Sequence, residues 1–231
     1  MNKWHEIWNK RSSVSESTNE LDALIRLDGF DSGAGKVSVE DWLENARKVA
    51  NLLNVKDGYS VFEVGCGCGA FLKGWQENRV LKVGGVDYSS PLIEVAKEAL
   101  PDGNFICGEA LNIDGVGDYD IVVAHGVFHY FDLAYAEMVI QKMILKAKKT
   151  ICILDIPDLS TMEESESVRR EQLSEDEYKI KYEGLEHTYF DKAWFSSVAK
   201  KNGYSCEFVK GMMPNYVQKN YRFGVVIRKD V

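Results

Sequence analysis

Between Tyr59 and Leu154 the sequence alternates short apolar runs with helix-period segments, and this alternation constrains the fold more than any other feature. The runs at 59–64, 82–87, 103–107, 118–124 and 149–154 read as strands, and 70–78, 89–100, 132–147 and 191–202 read as helices between or after them. Strands joined by helical crossovers predict a mostly parallel sheet covered on both faces. Upstream, short helical pieces at 3–10 and 19–27 precede the turn-rich LDGFDSGAGKVS, and Ser38 is placed to cap a helix whose apolar stripe is Val39, Trp42, Leu43, Ala46, Val49, Ala50 and Leu53. At the far end YSCEFVKG and YRFGVVIRK are separated by only a loop, so the last two strands should pair antiparallel. The stretch 163–177 holds seven acids and two arginines, a net of -5, and reads as a solvated helical insertion. No repeat or low-complexity linker divides the chain, so its 231 residues are expected to form one domain.

The first strand runs into VFEVGCGCGAFL. Glycines at 65, 67 and 69 between a strand and a helix suit a place where backbone N–H groups face a ligand and no Cβ blocks it. Cys66 and Cys68 supply two thiolates, half of what a structural zinc site wants, while Cys107, Cys152 and Cys206 stand alone. They read as small packing residues, reduced, and no metal is expected. The spacing Gly65-x-Gly67-x-x-Ala70 also satisfies a dinucleotide fingerprint. Three acids add to the signal. Glu63, at the strand's end, can meet an ammonium directly or through water. Asp87 ends the second strand, placed to accept both hydroxyls of a ribose. Glu109 follows the third strand, near where an adenine edge would lie.

From about Val39 onward, through EVGCGCG at 63–69, GVDYS at 85–89, GEA at 108–110 and YDIVVAHGVFHYF at 119–131, the chain resembles the class I S-adenosylmethionine-dependent methyltransferases, in their small-molecule tailoring branch. The resemblance implies an α/β fold: a Rossmann-like, seven-stranded, mostly parallel sheet with an antiparallel C-terminal hairpin and helices on both faces. It implies S-adenosylmethionine as cofactor, with Gly65 and Gly67 against its methionine part, Asp87 on the ribose, Glu109 or the Ala110 backbone facing adenine, and Tyr88 packed on the ring. Many members use an N-terminal helix as a lid, so Trp8 and Arg11 of WHEIWNKR would cover the site and meet the methionine carboxylate. On this division 1–37 is lid, 38–155 cofactor-binding core, 156–190 an inserted substrate segment, and 191–231 the last helix and hairpin.

In open parallel sheets the carboxyl ends of the strands face the ligand, which places His125 and His129 of AHGVFHYF at the mouth of the site. His129 is the first candidate base for a hydroxyl acceptor, because a neutral imidazole is available near neutral pH. For His125 the backbone is expected to line the methionine part. His187, in GLEHTYFDKAWF, is the second candidate base; His5 reads as surface. Asp31 or Lys36 could reach the acceptor from the glycine-rich loop, and Asp155 with Asp158 could approach one ion, although no clear divalent-metal cluster is written here.

With 28 basic against 36 acidic side chains the formal charge is -8, which disfavours nucleic acid as a partner. No run of about eighteen apolar residues marks a membrane span, and the N-terminus lacks a signal-peptide core, so a cytoplasmic location is expected. The leading expectation is methyl transfer to an oxygen of a polar small molecule, a sugar or small phosphorylated acid, by a monomer or homodimer. An N-methyltransferase, an NAD(P)-dependent oxidoreductase and a non-catalytic cofactor sensor are the alternatives.

Overall fold

The computed structural model of the protein describes residues 3–11, 20–30, 36–77, 79–171 and 174–229; Asp31 lies outside them. The strands are β1 (Ser60–Val64), β2 (Lys82–Asp87), β3 (Asn104–Cys107), β4 (Tyr119–His125), β5 (Ala147–Pro157), β6 (Tyr204–Lys210) and β7 (Arg222–Lys229). They form one sheet in the order β3-β2-β1-β4-β5-β7-β6. The first five run parallel, and β7 is antiparallel to both β5 and β6, as the closing hairpin led one to expect. Strand order reverses between the parallel neighbours β1 and β4, the place where open α/β sheets leave a crevice beyond the strand ends.

Alternation along the strands divides the core. Val61, Val83, Ile121, Val123 and Val226 face one side, where they pack with α2 (Leu21–Leu27), α3 (Val39–Leu52), α4 (Ala70–Gln76) and α5 (Ser90–Ala99). Phe62, Val64, Val122, Ile151 and Val225 face the other, under α6 (Leu133–Lys146) and α9 (Lys192–Lys201). The acidic stretch forms two helices, α7 (Met162–Arg170) and α8 (Glu175–Tyr182). Strand β5 runs three residues beyond the apolar run that marks it. Asp155 takes a φ of +58°, the register shifts between Ile153 and Ile156, and pairing resumes at Ile156 with Phe223.

The Ser38 hydroxyl accepts from the Asp41 N–H and starts α3 as its sequence predicts. Trp42 on this helix is 1% exposed, and its Nε1 donates to the Ala70 carbonyl at 3.1 Å, fixing α3 against the start of α4. Trp42→Ala removes that volume and the indole hydrogen bond to the Ala70 carbonyl, and is expected to cost about 3–5 kcal/mol in a denaturant titration. A loss below about 1 kcal/mol would mean that α3 is not anchored this way.

Candidate active site

The glycine turn follows β1 at the reversal point. Gly65 and Cys66 donate their N–H groups to the Val86 carbonyl at 2.8 and 3.0 Å, drawing the turn against β2. Gly67 has a φ of +50°, and a Cβ there would lie 2.1 Å from Asp28 Oδ1, so a side chain at this position would strain the backbone and push the Asp28 carboxylate aside. Around the turn opens a cavity of about 280 Å³ whose wall includes Glu63, Gly65, Gly67, Asp87, Tyr88, Glu109, Ala110 and His125. The strand ends thus bring together eight of the residues singled out from sequence.

The wall is acidic. Asp28, Glu63, Asp87, Glu109 and Asp132 line the cavity, and among the described residues no lysine or arginine does. Asp87 Oδ2 accepts from the Gly67 N–H at 3.0 Å, while its Oδ1 accepts from the Ser89 N–H at 2.9 Å. Asp28, just after α2, sends Oδ1 to the Cys68 N–H at 2.8 Å and Oδ2 to the Ala70 N–H at 3.3 Å. Glu63 is 2% exposed, and its Oε2 is buried without a hydrogen-bond partner. Burial first, and then the charges of the neighbouring carboxylates, pushes Glu63 well above the usual carboxylate range. Asp87 is raised mainly by burial. Burial also lifts Asp28 from 3.8 to about 7, against the lowering effect of the Cys68 N–H.

Three carboxylates crowded out of water call for a cation. A bound cation favours ionised Asp28, so binding releases a proton wherever that carboxyl is protonated in the free protein. The Asp28 contribution to affinity for a cationic ligand is therefore expected to rise with pH up to about 7 and level off above it. Calorimetry across buffers of different ionisation enthalpy should show the released proton. An affinity flat between about pH 5 and about pH 8 would speak against the linkage.

The first helix, α1 (Lys3–Asn9), covers the cavity with Trp4, His5 and Trp8. His5, expected at the surface, stacks on Tyr88 with centroids 4.1 Å apart and sets Nε2 3.7 Å from Glu109. The Tyr88 hydroxyl donates to the Trp4 carbonyl and that of Ser89 to the Trp8 carbonyl. Arg11 is not on the wall. It donates to the Arg26 and Leu27 carbonyls, its guanidinium 5.0 Å from the Trp8 ring, and so ties α1 to the end of α2. His125 stacks on Phe71 at 4.5 Å and Phe30 at 5.7 Å, and burial lowers it to about 4.

His129 and His187 lie behind this wall, their rings 4.2 Å apart. Tyr130, which does line the cavity, is 4.0 Å from His129, and Trp4 is 4.7 Å from Tyr130. His129 is 6% exposed with Nδ1 unpartnered, whereas the His187 ring accepts from Arg169. Burial holds both histidines well below the ordinary value, so both are neutral near pH 7. Asp155 and Asp158 pair with Arg222 and Lys192 rather than converging on an ion. Among the described residues no group of three His, Cys, Asp or Glu is placed to hold a metal, and no helix is long and apolar enough to cross a membrane.

Sequence reasoning missed Asp28 and His5 as wall residues. His5 stands on one short helix and Asp28 at the end of another, both far along the chain from the glycine turn, and no local pattern signals where such a helix will dock.

Residues 61–149 match a family model described as a methyltransferase domain. A ubiquinone/menaquinone biosynthesis C-methyltransferase of Campylobacter jejuni is 31% identical over 114 residues, covering 45% of this chain and 46% of that protein. The chain spans less than half the length of the curated relatives it matches. Among solved structures, magnesium protoporphyrin IX methyltransferase from Synechocystis with bound SAH superposes with a TM-score of 0.64 at 15% identity, over 99% of this chain and 95% of that one. The plantazolicin methyltransferase in complex with SAH gives 0.64 at 14% identity, over 98% and 94%. At such identities the likeness establishes the fold.

Proposed function

We infer that this chain belongs to the class I S-adenosylmethionine-dependent methyltransferases, and from that premise we propose that it transfers a methyl group to an oxygen of a polar small molecule. The observation that carries the cofactor assignment is the carboxylate group Asp28, Glu63 and Asp87 around the glycine turn. The residues fit a ligand bearing an ammonium, a sulfonium and a ribose. Glu63 offers an unpartnered buried oxygen to the ammonium, and Asp28 adds negative charge beside it. Asp87 uses one lone pair of each oxygen on Gly67 and Ser89 and keeps capacity for two ribose hydroxyls. Tyr88, Glu109 and Ala110 would frame the adenine, joined by His5, while Gly65 and Gly67 let the backbone approach. Trp8 covers the site, and Arg11 is assigned to holding that cover in place.

The same geometry disfavours a nicotinamide dinucleotide. Such cofactors set a pyrophosphate on the helix N-terminus after the glycine turn. Here the Asp28 carboxylate already accepts from the Cys68 and Ala70 N–H groups at the start of α4, and a phosphate would meet it head-on.

Bound S-adenosylmethionine supplies a methyl group already activated on a positively charged sulfur. The chain's own residues then align the acceptor, exclude water and take its proton. We assign the proton to His129, whose neutral ring carries an unpartnered Nδ1. Its position behind Tyr130 and Trp4 requires one of those rings to swing aside when the acceptor enters. A sugar or small phosphorylated acid is the acceptor class we favour. The similar proteins do not choose it, since the substrates they are named for range from a porphyrin to plantazolicin.

The test is an assay of SAH release with S-adenosylmethionine and hydroxylated sugars, hydroxy acids and their phosphate esters, read by mass spectrometry. Methylated product on oxygen supports the proposal. Product on nitrogen, or turnover only with an added nicotinamide dinucleotide, would overturn it.

A further inference from the structure

A second buried polar group, which the cofactor does not explain, stands where β7 pairs with Pro157 of β5, the segment that holds Phe190 while the nearby Thr188 N–H donates to the His129 carbonyl. Arg222, the first residue of β7, is 7% exposed. Its Nη1 donates to the Asp155 carbonyl at 3.0 Å and lies 3.5 Å from Asp155 Oδ2, which holds one end of the guanidinium at the bend in β5. Its Nε is buried and has no hydrogen-bond partner. His129 Nδ1 is the other unpartnered buried atom here, and Arg222 is the strongest charge acting on that ring. The Arg169 guanidinium is close by, against the neighbouring His187.

These two atoms differ in what they ask for. A guanidinium N–H is only ever a donor, and its charge makes an anionic oxygen its best partner. A neutral imidazole nitrogen on the base side accepts a proton from a hydroxyl. Leaving a buried donor unsatisfied carries a desolvation cost, so a protein that keeps one within electrostatic reach of an unsatisfied base holds both for a ligand. One molecule satisfies the pair if it carries an anionic group and, next to it, the hydroxyl to be methylated. Trp4 and Tyr130 touch each other and line the acidic cavity, and the Tyr130 ring also lies against His129, so the two rings stand between the cavity and the histidine.

We propose that Arg222 is a specificity-determining residue that binds the carboxylate or phosphoryl group of an anionic hydroxy acceptor and sets its hydroxyl beside His129. This rests on the methyl-transfer reading and narrows it from polar molecules in general to hydroxy acids and hydroxylated phosphate esters.

The experiment is an NMR titration of the full chain, loaded with S-adenosylhomocysteine and carrying isotope-labelled histidine, with acetate, inorganic phosphate and chloride at matched ionic strength. Saturable movement of the His129 and His187 ring signals by acetate or phosphate, but not by chloride, is expected. The stronger of the two identifies a carboxylate or a phosphoryl acceptor. In Arg222→Met the anion effect should weaken at least about tenfold, in line with loss of a charge-assisted hydrogen bond. Should that variant fail to fold, Arg222→Lys keeps a charge for Asp155 and loses Nε, and is expected to weaken the anion by about threefold or more. Movement equal to that with chloride, or anion binding unchanged in the folded variant, would overturn the proposal. Calorimetry on the same sample separates the two readings. Failure to bind S-adenosylhomocysteine with anion shifts intact removes the methyl-transfer premise, and with it the role assigned to the anion site. Cofactor binding without anion shifts removes Arg222 alone.

Discussion

Asp87→Ala is expected to weaken binding of S-adenosylhomocysteine by about a hundredfold or more. The carboxylate would hold both ribose hydroxyls, each bond to a charged group being worth about 1.5–3 kcal/mol, and two such bonds account for that factor. The substitution also strips the Gly67 and Ser89 N–H groups of their acceptor, loosening the turn on which the rest of the cofactor would lie. Removing one of several crowded carboxylates relieves repulsion and offsets part of the structural loss, so the melting temperature should move less than the affinity. Asp87→Asn keeps the shape and one acceptor oxygen, and should fall between wild type and alanine. Calorimetric titration of all three proteins checks the order. Equal affinities would remove Asp87 from the site and leave its role as the acceptor for the turn.

His129→Ala carries the second large effect. If its ring takes the acceptor proton, turnover should drop by about 10²–10⁴-fold while cofactor affinity changes by less than about threefold. Burial and the Arg222 and Arg169 charges keep the ring neutral well below its ordinary pH range. The acid limb of the wild-type rate profile should accordingly lie below about pH 6.5. His187 makes a contrasting control, since its ring already accepts from Arg169 and has less freedom to take a proton. Turnover unchanged in His129→Ala, measured with any acceptor that the assay identifies, would take this residue out of the chemistry.

The sheet was legible because its signal is local. Each parallel strand is a short apolar run, and the glycines, Glu63 and Asp87 fall at strand ends, which the topology must bring to one rim. The closing hairpin was legible for the same reason, since two consecutive strands with no crossover helix between them have one easy way to pair. What escaped the sequence depends on docking over long separations. Asp28 belongs to a segment that reads only as turn-rich, yet it accepts from the Cys68 N–H ahead of α4 from 40 residues away. His5 looks like a solvated residue of a short helix until α1 lies on Tyr88. Arg11 illustrates the reverse, because its spacing from Trp8 suggests a reach into the cavity, while the carbonyls at the end of α2 hold it outside. The bend at Asp155 hides the last residues of β5, because a positive φ at a non-glycine position leaves no mark in an apolar pattern.

The most direct measurement is a parallel calorimetric titration of the wild-type chain with S-adenosylmethionine, NAD(H) and NADP(H). Saturable binding of S-adenosylmethionine with micromolar affinity, a proton released near neutral pH, and no binding of either dinucleotide is the predicted result. Binding of a dinucleotide in place of S-adenosylmethionine would contradict the account at its centre, because a pyrophosphate would then have displaced Asp28 from the start of α4.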